Sequence, residues 1–304
     1  MAKVLAIYCA LIVLASLAGG WVPLFVHLTH RWMQIALSFV AGVMLGVGLL
    51  HLLPHSFEEL SESGEPGQID ITTAWVLFGF MLMFFLERFF HFHHHDAPDE
   101  PIADEHEGQD HAHDDAHDAG GKEHHAAHRM AWGGAAVGLV LHTVVEGVAL
   151  AAAVKAEQEE QLGLWAGMGT FLAILLHKPF DSLTIGTLMA AGGWSAGSRH
   201  LVNGLYALVV PVSVLAFFAG SGHVGDSHQF LGRALGFAAG AFLCIATSDL
   251  LPELQFHRHD RGKLSVALLA GIALAIGLLY VEASGHDHHE KPGAPAHAAK
   301  LDPR

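Results

Sequence analysis

The chain has 304 residues, of which 52% are hydrophobic and only 15% charged, and its mean hydropathy is +0.40. A soluble chain carries about a quarter charged residues, so this composition indicates a membrane protein. The net charge of −15 excludes the basic face that a nucleic-acid binder needs. Cys9 and Cys244 both lie in apolar stretches, which excludes a disulfide framework and a cysteine-based zinc finger.

Eight apolar segments, each roughly 20 residues long, are predicted to be transmembrane helices. They cover residues 4–26, 34–54, 72–92, 130–154, 163–190, 201–220, 230–251 and 264–284, and are called spans 1 to 8. The first is predicted to be a retained helix because no small-residue cleavage site ends it. The predicted fold class is an all-α membrane protein, with spans 1–3 in residues 1–92 and spans 4–8 in residues 129–284.

Two polar segments, 93–128 and 285–304, contain few apolar residues to bury and are predicted to be disordered. Their many imidazoles are weak metal ligands without fixed geometry, suited to collecting or sensing metal. These histidines, with His91 at the end of span 3, are His91, His93, His94, His95, His106, His111, His113, His117, His124, His125 and His128, then His286, His288, His289 and His297.

The distribution of lysine and arginine predicts the orientation in the membrane. The loops after odd-numbered spans hold Arg31, Arg88, Lys122, Arg129, Arg199, Arg258, Arg261 and Lys263. Close to the membrane, the opposite side holds only Lys3, Lys155 and Arg233. This asymmetry predicts a cytoplasmic histidine-rich loop and both termini outside. The acidic, histidine-rich composition favours a bacterial inner membrane, where those termini would be periplasmic.

Spans 2 and 7 contain similar sequences, "AGVMLGVGLLHLLPHSFEE" from residue 41 and "AGAFLCIATSDLLPELQFH" from residue 239. The two spans run in opposite directions, and a unit repeated with inverted topology is typical of secondary transporters. The pattern predicts an inverted repeat of spans 1–3 and 6–8 around spans 4–5. The matched pairs are His51 with Asp249, Pro54 with Pro252, and His55 with Glu253.

Spans 4 and 5 each carry a histidine followed four residues later by an acid. "LVLHTVVEGVAL" contains His142 and Glu146, and "LLHKPFDSL" contains His177 and Asp181. This spacing places each pair on one helix face. Two imidazoles and two carboxylates form a four-coordinate site for Zn²⁺, and would also suit Fe²⁺ or Cd²⁺. The alternative is a pair of hydrogen bonds that only pack the helices.

These features together resemble the ZIP (Zrt/Irt-like) family of divalent metal transporters. "HTVVEG" is similar to the family's span-4 pattern His-Asn-x-x-Asp/Glu-Gly, and "HKPFD" is similar to its span-5 pattern. The resemblance implies a helical bundle with spans 4 and 5 at its centre that moves by alternating access. It also implies a first metal site formed by His142, Glu146, His177 and Asp181.

The family typically binds a second, adjacent metal, and this chain departs from that pattern. Thr143 and Lys178 replace two expected ligands, span 6 lacks the expected acid, and Pro179 is one position early. We hypothesise that the Lys178 ammonium stands where the second metal would be, which makes the site mononuclear. The alternative is that Lys178 extends toward a membrane interface.

Polar residues at the ends of spans 2 and 7 are predicted to capture and release the metal. His51, His55 and Glu59 follow one helix face at the outer end of span 2. The corresponding residues at the cytoplasmic end of span 7 are Asp249, Glu253 and His257. The alternative for both sets is an ordinary solvated helix end.

The predicted function is secondary import of a divalent transition metal, Zn²⁺ foremost, without enzymatic activity or a cofactor. The sequence contains no GxxxxGK[ST] motif, so gradients would supply the energy. Three alternatives stay open: a cation-diffusion-type exporter, an intramembrane zinc hydrolase using Ser182, and a metal sensor that only binds. The predicted partners are the lipid bilayer and the metal ion. A homodimer is a further candidate, although no motif decides it.

Overall fold

The computed structural model describes residues 1–25, 29–90, 118–159, 165–222, 227–250 and 261–287. Within these ranges all regular structure is helical. The α-helices are α1 (Ala2–Phe25), α2 (His30–Val47), α3 (Leu53–Glu62), α4 (Gln68–Phe90), α5 (Asp118–Glu159), α6 (Met168–Ala191), α7 (Ala196–Ala207), α8 (Val209–Ser221), α9 (Ser227–Ile245) and α10 (Arg261–Asp287). Two π-helical segments, Gly48–Leu52 and Ala246–Leu250, directly follow α2 and α9.

Seven helical stretches in the described part of the chain are long and apolar enough to cross a membrane. Helix α6 has 24 residues, which also suffices to cross a bilayer, but it is less apolar because it carries His177, Lys178 and Asp181. With α6 as the eighth span, the predicted all-α membrane fold is confirmed.

The structure differs from the predicted spans in three places. Span 2 is longer than predicted, because α2, the π segment and α3 run without a break from residue 30 to residue 62. Span 6 is two helices, α7 and α8, that meet at Leu208. Pro211 lacks the N–H that would bond the Ala207 carbonyl, which accounts for the break. Helix α5 begins at Asp118, so residues 118–128 of the segment predicted to be disordered are helical.

The helices pack as two groups. One consists of α1, α5, α6, α7 and α8, with its most extensive contacts between α1 and α6 and between α5 and α8. The other consists of α2, α3, α4, α9 and α10, held mainly by contacts of α4 with α9 and of α2 with α10. The contact of α1 with α6 joins spans 1 and 5, and the contact of α5 with α8 joins spans 4 and 6. The contact of α4 with α9 joins spans 3 and 7, and the contact of α2 with α10 joins spans 2 and 8. When spans 1–3 are exchanged with spans 6–8, and span 4 with span 5, the two contacts in each group are exchanged with each other. The contact pattern therefore has the symmetry of the predicted inverted repeat.

Glycines allow close contacts between these helices, again in matched positions. Gly42 of α2 lies against the backbone of α10, and Gly240 of α9 lies against the backbone of α4. The facing helices contribute Gly271 and Gly79, which approach the backbone of α2 and α9. A methyl group at any of these four positions would collide with main-chain atoms of the neighbouring helix. Small residues allow such close approach between membrane helices.

Candidate metal centre

Helices α5 and α6 pack together and bring the two predicted residue pairs to one place. One ligand atom from each of His142, Glu146, His177 and Asp181 can be chosen so that all four lie within 4.8 Å of one another. The first three residues are buried, and Asp181 is partly buried. The i, i+4 spacing on each helix thus produces one compact cluster of two imidazoles and two carboxylates.

Glu146 Oε1 is the centre of this cluster. His142 Nε2 lies 2.8 Å from it, and His177 Nε2 is also in contact with it. His177 Nδ1 lies 2.6 Å from the Ala173 carbonyl oxygen, which accepts only if Nδ1 carries a proton. In neutral His177 the Nε2 lone pair then faces the carboxylate. Two imidazoles and two carboxylates are a ligand set that suits a divalent metal ion.

Lys178 occupies the other side of the same carboxylate. Its fully buried ammonium donates to Glu146 Oε2 at 2.6 Å and lies 3.2 Å from Asp181 Oδ2. The carboxylate of Glu146 therefore divides its two oxygens between the imidazoles and the ammonium. When a carboxylate bridges two adjacent metals, each oxygen binds one ion. The ammonium of Lys178 thus has the position that the second ion would have.

Tyr206 of α7 completes the surroundings of the lysine and was not predicted from the sequence. Its hydroxyl lies 3.1 Å from Lys178 Nζ and donates to Asp181 Oδ2 at 3.1 Å. Thr143 lies 2.6 Å from Nζ and 2.7 Å from the tyrosine hydroxyl. One feature of the sequence could have pointed to Tyr206. It is one of only a few polar residues in span 6, the span that lacks the expected acid.

The residues predicted for the outer end of span 2 lie away from this cluster. His51 is buried, and its Nε2 lies 3.0 Å from the carbonyl oxygen of Ala275 in α10. His55 Nδ1 lies 3.1 Å from Glu58, and its Nε2 is 3.8 Å from Glu157 at the end of α5. Glu59 contacts His228 of α9 at 2.8 Å.

The residues predicted for the inner end of span 7 are only partly described. Asp249 belongs to the π segment Ala246–Leu250, the counterpart of the segment that holds His51. Glu253 and His257 lie outside the described residues.

A small cleft reaches the cluster at His142. It is bounded by α4 on one side and α5 on the other, and therefore lies between the two helix groups. Its lining residues are Met83, Leu86, Glu87, Gly138, Leu139 and His142.

The fold and the site define a multi-pass helical membrane protein with a buried cluster of candidate metal ligands between two central helices. A sequence profile described as "ZIP Zinc transporter" matches residues 2–280, which is nearly the whole chain. The chain therefore belongs to the ZIP zinc transporter family.

Individual members of the family are distantly similar. A zinc transporter ZIP9 from Micropogonias undulatus is 30% identical over 166 residues, or 50% of this chain and 51% of the relative, so the chain spans about half the length of that protein. Zinc transporter 5 from Oryza sativa subsp. japonica is 25% identical over 91% of this chain and 85% of its own length. A ZIP9 from Xenopus tropicalis is 24% identical over 92% of this chain and 98% of its own.

Proposed function

We propose that this protein is a secondary transporter that imports a divalent transition metal, with Zn²⁺ as the main cargo and Cd²⁺ or Fe²⁺ as further candidates. The observation that carries the proposal is the buried set of His142, Glu146, His177 and Asp181, whose ligand atoms lie within 4.8 Å of one another. Its relatives in the family are named zinc transporters.

The proposed site holds one metal ion. The ion would lie among the two imidazole Nε2 atoms, Glu146 Oε1 and an oxygen of Asp181, with bond lengths of about 2.0–2.2 Å. The imidazoles would move away from Glu146 Oε1 to admit it. Lys178 would stay on Glu146 Oε2 as a fixed charge in the place of a second ion, with Thr143 as one of its hydrogen-bond partners.

The two helix groups provide a basis for alternating access. All four ligands belong to the group of α1 and α5–α8, whereas the cleft that reaches His142 has its other wall on α4. Movement of one group against the other would open and close this cleft. In the orientation predicted from the basic residues, the cleft opens toward the cytoplasm and both termini lie in the periplasm of a bacterial inner membrane.

The geometry favours transport over hydrolysis. Ser182, the candidate nucleophile, is buried, and its hydroxyl lies 2.7 Å from the hydroxyl of Ser16 in α1. Four protein ligands would also leave no open coordination position for the attacking water of a catalytic zinc. Ser182 therefore serves better as a packing contact between α1 and α6.

Metal flux into proteoliposomes tests the proposal directly. The purified chain should carry Zn²⁺ into the vesicles, and His177→Ala should abolish the flux because it removes a ligand from the centre of the cluster. His200→Ala, which alters an exposed histidine on α7, is the matched control and should leave the flux unchanged. Zn²⁺ binding without flux in the unaltered chain would contradict transport and favour a sensor.

A further inference from the structure

A second cluster of metal-ligating side chains shares no residue with the central site, and its residues are distant from that site in the sequence. Glu59 and Glu62 project from α3, one turn apart, and His228 projects from the first turn of α9. His228 Nδ1 lies 2.8 Å from Glu59 Oε2 and 3.4 Å from Glu62 Oε2. The cluster therefore joins the end of span 2 to the start of span 7.

The distances suit a small divalent ion. Ligands bound to one tetrahedral zinc at about 2.0–2.2 Å lie about 3.4 Å apart. The separation of His228 from Glu62 already has this value. The separation of His228 from Glu59 would need to increase by roughly half an ångström, which a rotation of the imidazole achieves.

The charges and the exposure of the three residues also fit a metal site. Two carboxylates match the charge of one divalent cation, and the imidazole adds the nitrogen that favours Zn²⁺ over Mg²⁺ or Ca²⁺. The side chain of Glu59 is 8% exposed, whereas those of His228 and Glu62 are 35% and 67% exposed. A firmly packed ligand is thus combined with two ligands that solvent can reach, and a water molecule can fill the fourth position.

A neighbouring ion pair joins α9 to the turn that follows α3. Arg233, one turn and a half further along α9, donates to both carboxylate oxygens of Glu65 at 2.8 and 3.0 Å. Glu65 lies in the turn between α3 and α4, so this ion pair holds the end of α3 close to α9 beside the cluster. The ligands from the two helices are therefore presented to each other before any metal arrives.

We propose that Glu59, Glu62 and His228 form a second divalent-metal site, one that binds Zn²⁺ at the membrane surface and links span 2 to span 7. The predicted capture role of Glu59 is thereby assigned to a three-ligand site that includes two residues not predicted from the sequence. The proposal is independent of transport through the central site, because the two sites use different helices and different ligands.

The test counts bound Zn²⁺ in the full-length protein with the central site removed. His177→Ala serves as the background, and equilibrium dialysis measures Zn²⁺ per chain at increasing free Zn²⁺. Adding His228→Ala should remove one equivalent of bound metal. Co²⁺ titration of the background should give the intense visible absorption of a low-symmetry, four-coordinate ion, and His228→Ala should lower that absorption by the contribution of one bound ion.

Two further variants make the result decisive. His177→Ala/His200→Ala has also lost a second histidine, but an exposed one outside the cluster, and should bind as the background does. Glu62→Gln keeps the size of an exposed side chain, so it leaves the fold intact, and it should weaken binding at this site at least tenfold. The histidine-rich segments are identical in all variants and cancel in the comparison. Equal stoichiometry and affinity in the background, His228→Ala and Glu62→Gln would overturn the proposal and leave His228 as a helix-packing contact.

Discussion

At the scale of single residues, the proposed mononuclear centre depends on the charge of Lys178. Glu146 and Asp181 supply two negative charges, and the buried ammonium cancels one of them. One divalent ion then brings the cluster to a net charge of about +1, since the imidazoles are neutral when they bind metal. A second divalent ion would add two further charges in a low-dielectric environment and would also have to displace the ammonium. The lysine therefore favours a mononuclear site.

Replacing the ammonium with a carboxylate should restore a second site. Lys178→Glu places an oxygen ligand beside Glu146 Oε2 and Asp181, so we expect one additional Zn²⁺ per chain. Metal analysis after gel filtration measures this number. Lys178→Met is the control, because it removes the charge without adding a ligand. It should add no metal, and it should lower the stability by about 3–5 kcal/mol because the buried carboxylates lose their partner. An unchanged metal content in Lys178→Glu would contradict the hypothesis.

Tyr206 is expected to act through the residues that it positions. Tyr206→Phe removes the hydroxyl that contacts Lys178, Thr143 and Asp181. Outer residues of this kind typically contribute about 10–100-fold to metal affinity, so Zn²⁺ binding should weaken by that factor while its stoichiometry stays the same. Tyr280→Phe, on the exposed face of α10, provides the matched control. Equal affinities for the two variants would show that the hydroxyl does not orient the site.

At the scale of elements, the paired glycines show why the repeat is visible in both sequence and structure. Gly42 and Gly240 occupy the same place in the two similar sequences, and each allows a facing helix to approach main chain to main chain. The two π segments also match, and each ends at the first leucine of a Leu-Leu-Pro sequence. These features fix how span 2 meets span 8 and how span 7 meets span 3.

A single methyl group should disturb this packing. Gly240→Ala would collide with the backbone of Val76 and Phe80 in α4, and overpacking of this kind costs about 1–3 kcal/mol. We therefore expect a lower thermal unfolding temperature in detergent. Gly277→Ala has open space around the added methyl group, and alanine favours a helix, so that variant should be as stable as the wild type or slightly more stable. Equal losses in both variants would contradict the prediction, because they would show that the close contact at Gly240 does not determine the effect.

At the scale of the whole molecule, sequence periodicity predicted the elements better than their contacts. Apolar length located the spans, and the i, i+4 spacing located the residues of the central cluster. The break at Leu208 follows from Pro211, a local signal that the prediction of span 6 did not use. The contacts of Tyr206 instead depend on how span 6 lies against spans 4 and 5, which no local pattern encodes. His228 was missed for the same reason, because its partners on α3 are distant in the sequence. Tertiary packing alone brings these side chains together.

Movement of the two helix groups relative to each other would control transport. His51, in the π segment after α2, packs against Gly169 in the first turn of α6, so this contact joins one group to the other. A Cβ atom added at Gly169 would lie 3.3 Å from His51 Cγ. Cysteines at the two positions would therefore lie within reach of a disulfide, which requires Cβ atoms about 3.5–4.5 Å apart. Alternating access predicts that such a bond stops the movement.

The double variant His51→Cys/Gly169→Cys, with Cys9 and Cys244 changed to serine, tests this prediction. In the reduced state it should retain measurable Zn²⁺ flux in proteoliposomes. Oxidation should abolish the flux and leave Zn²⁺ binding at the central cluster intact, because all four ligands lie within one group. Reduction should then restore the flux, which separates the effect of the bond from the loss of the His51 imidazole. Gly169→Cys alone should not respond to the oxidant. Full flux in the oxidised double variant would mean that the groups do not separate at this contact, and the moving boundary would have to lie elsewhere, with the cleft between α4 and α5 as the next place to link.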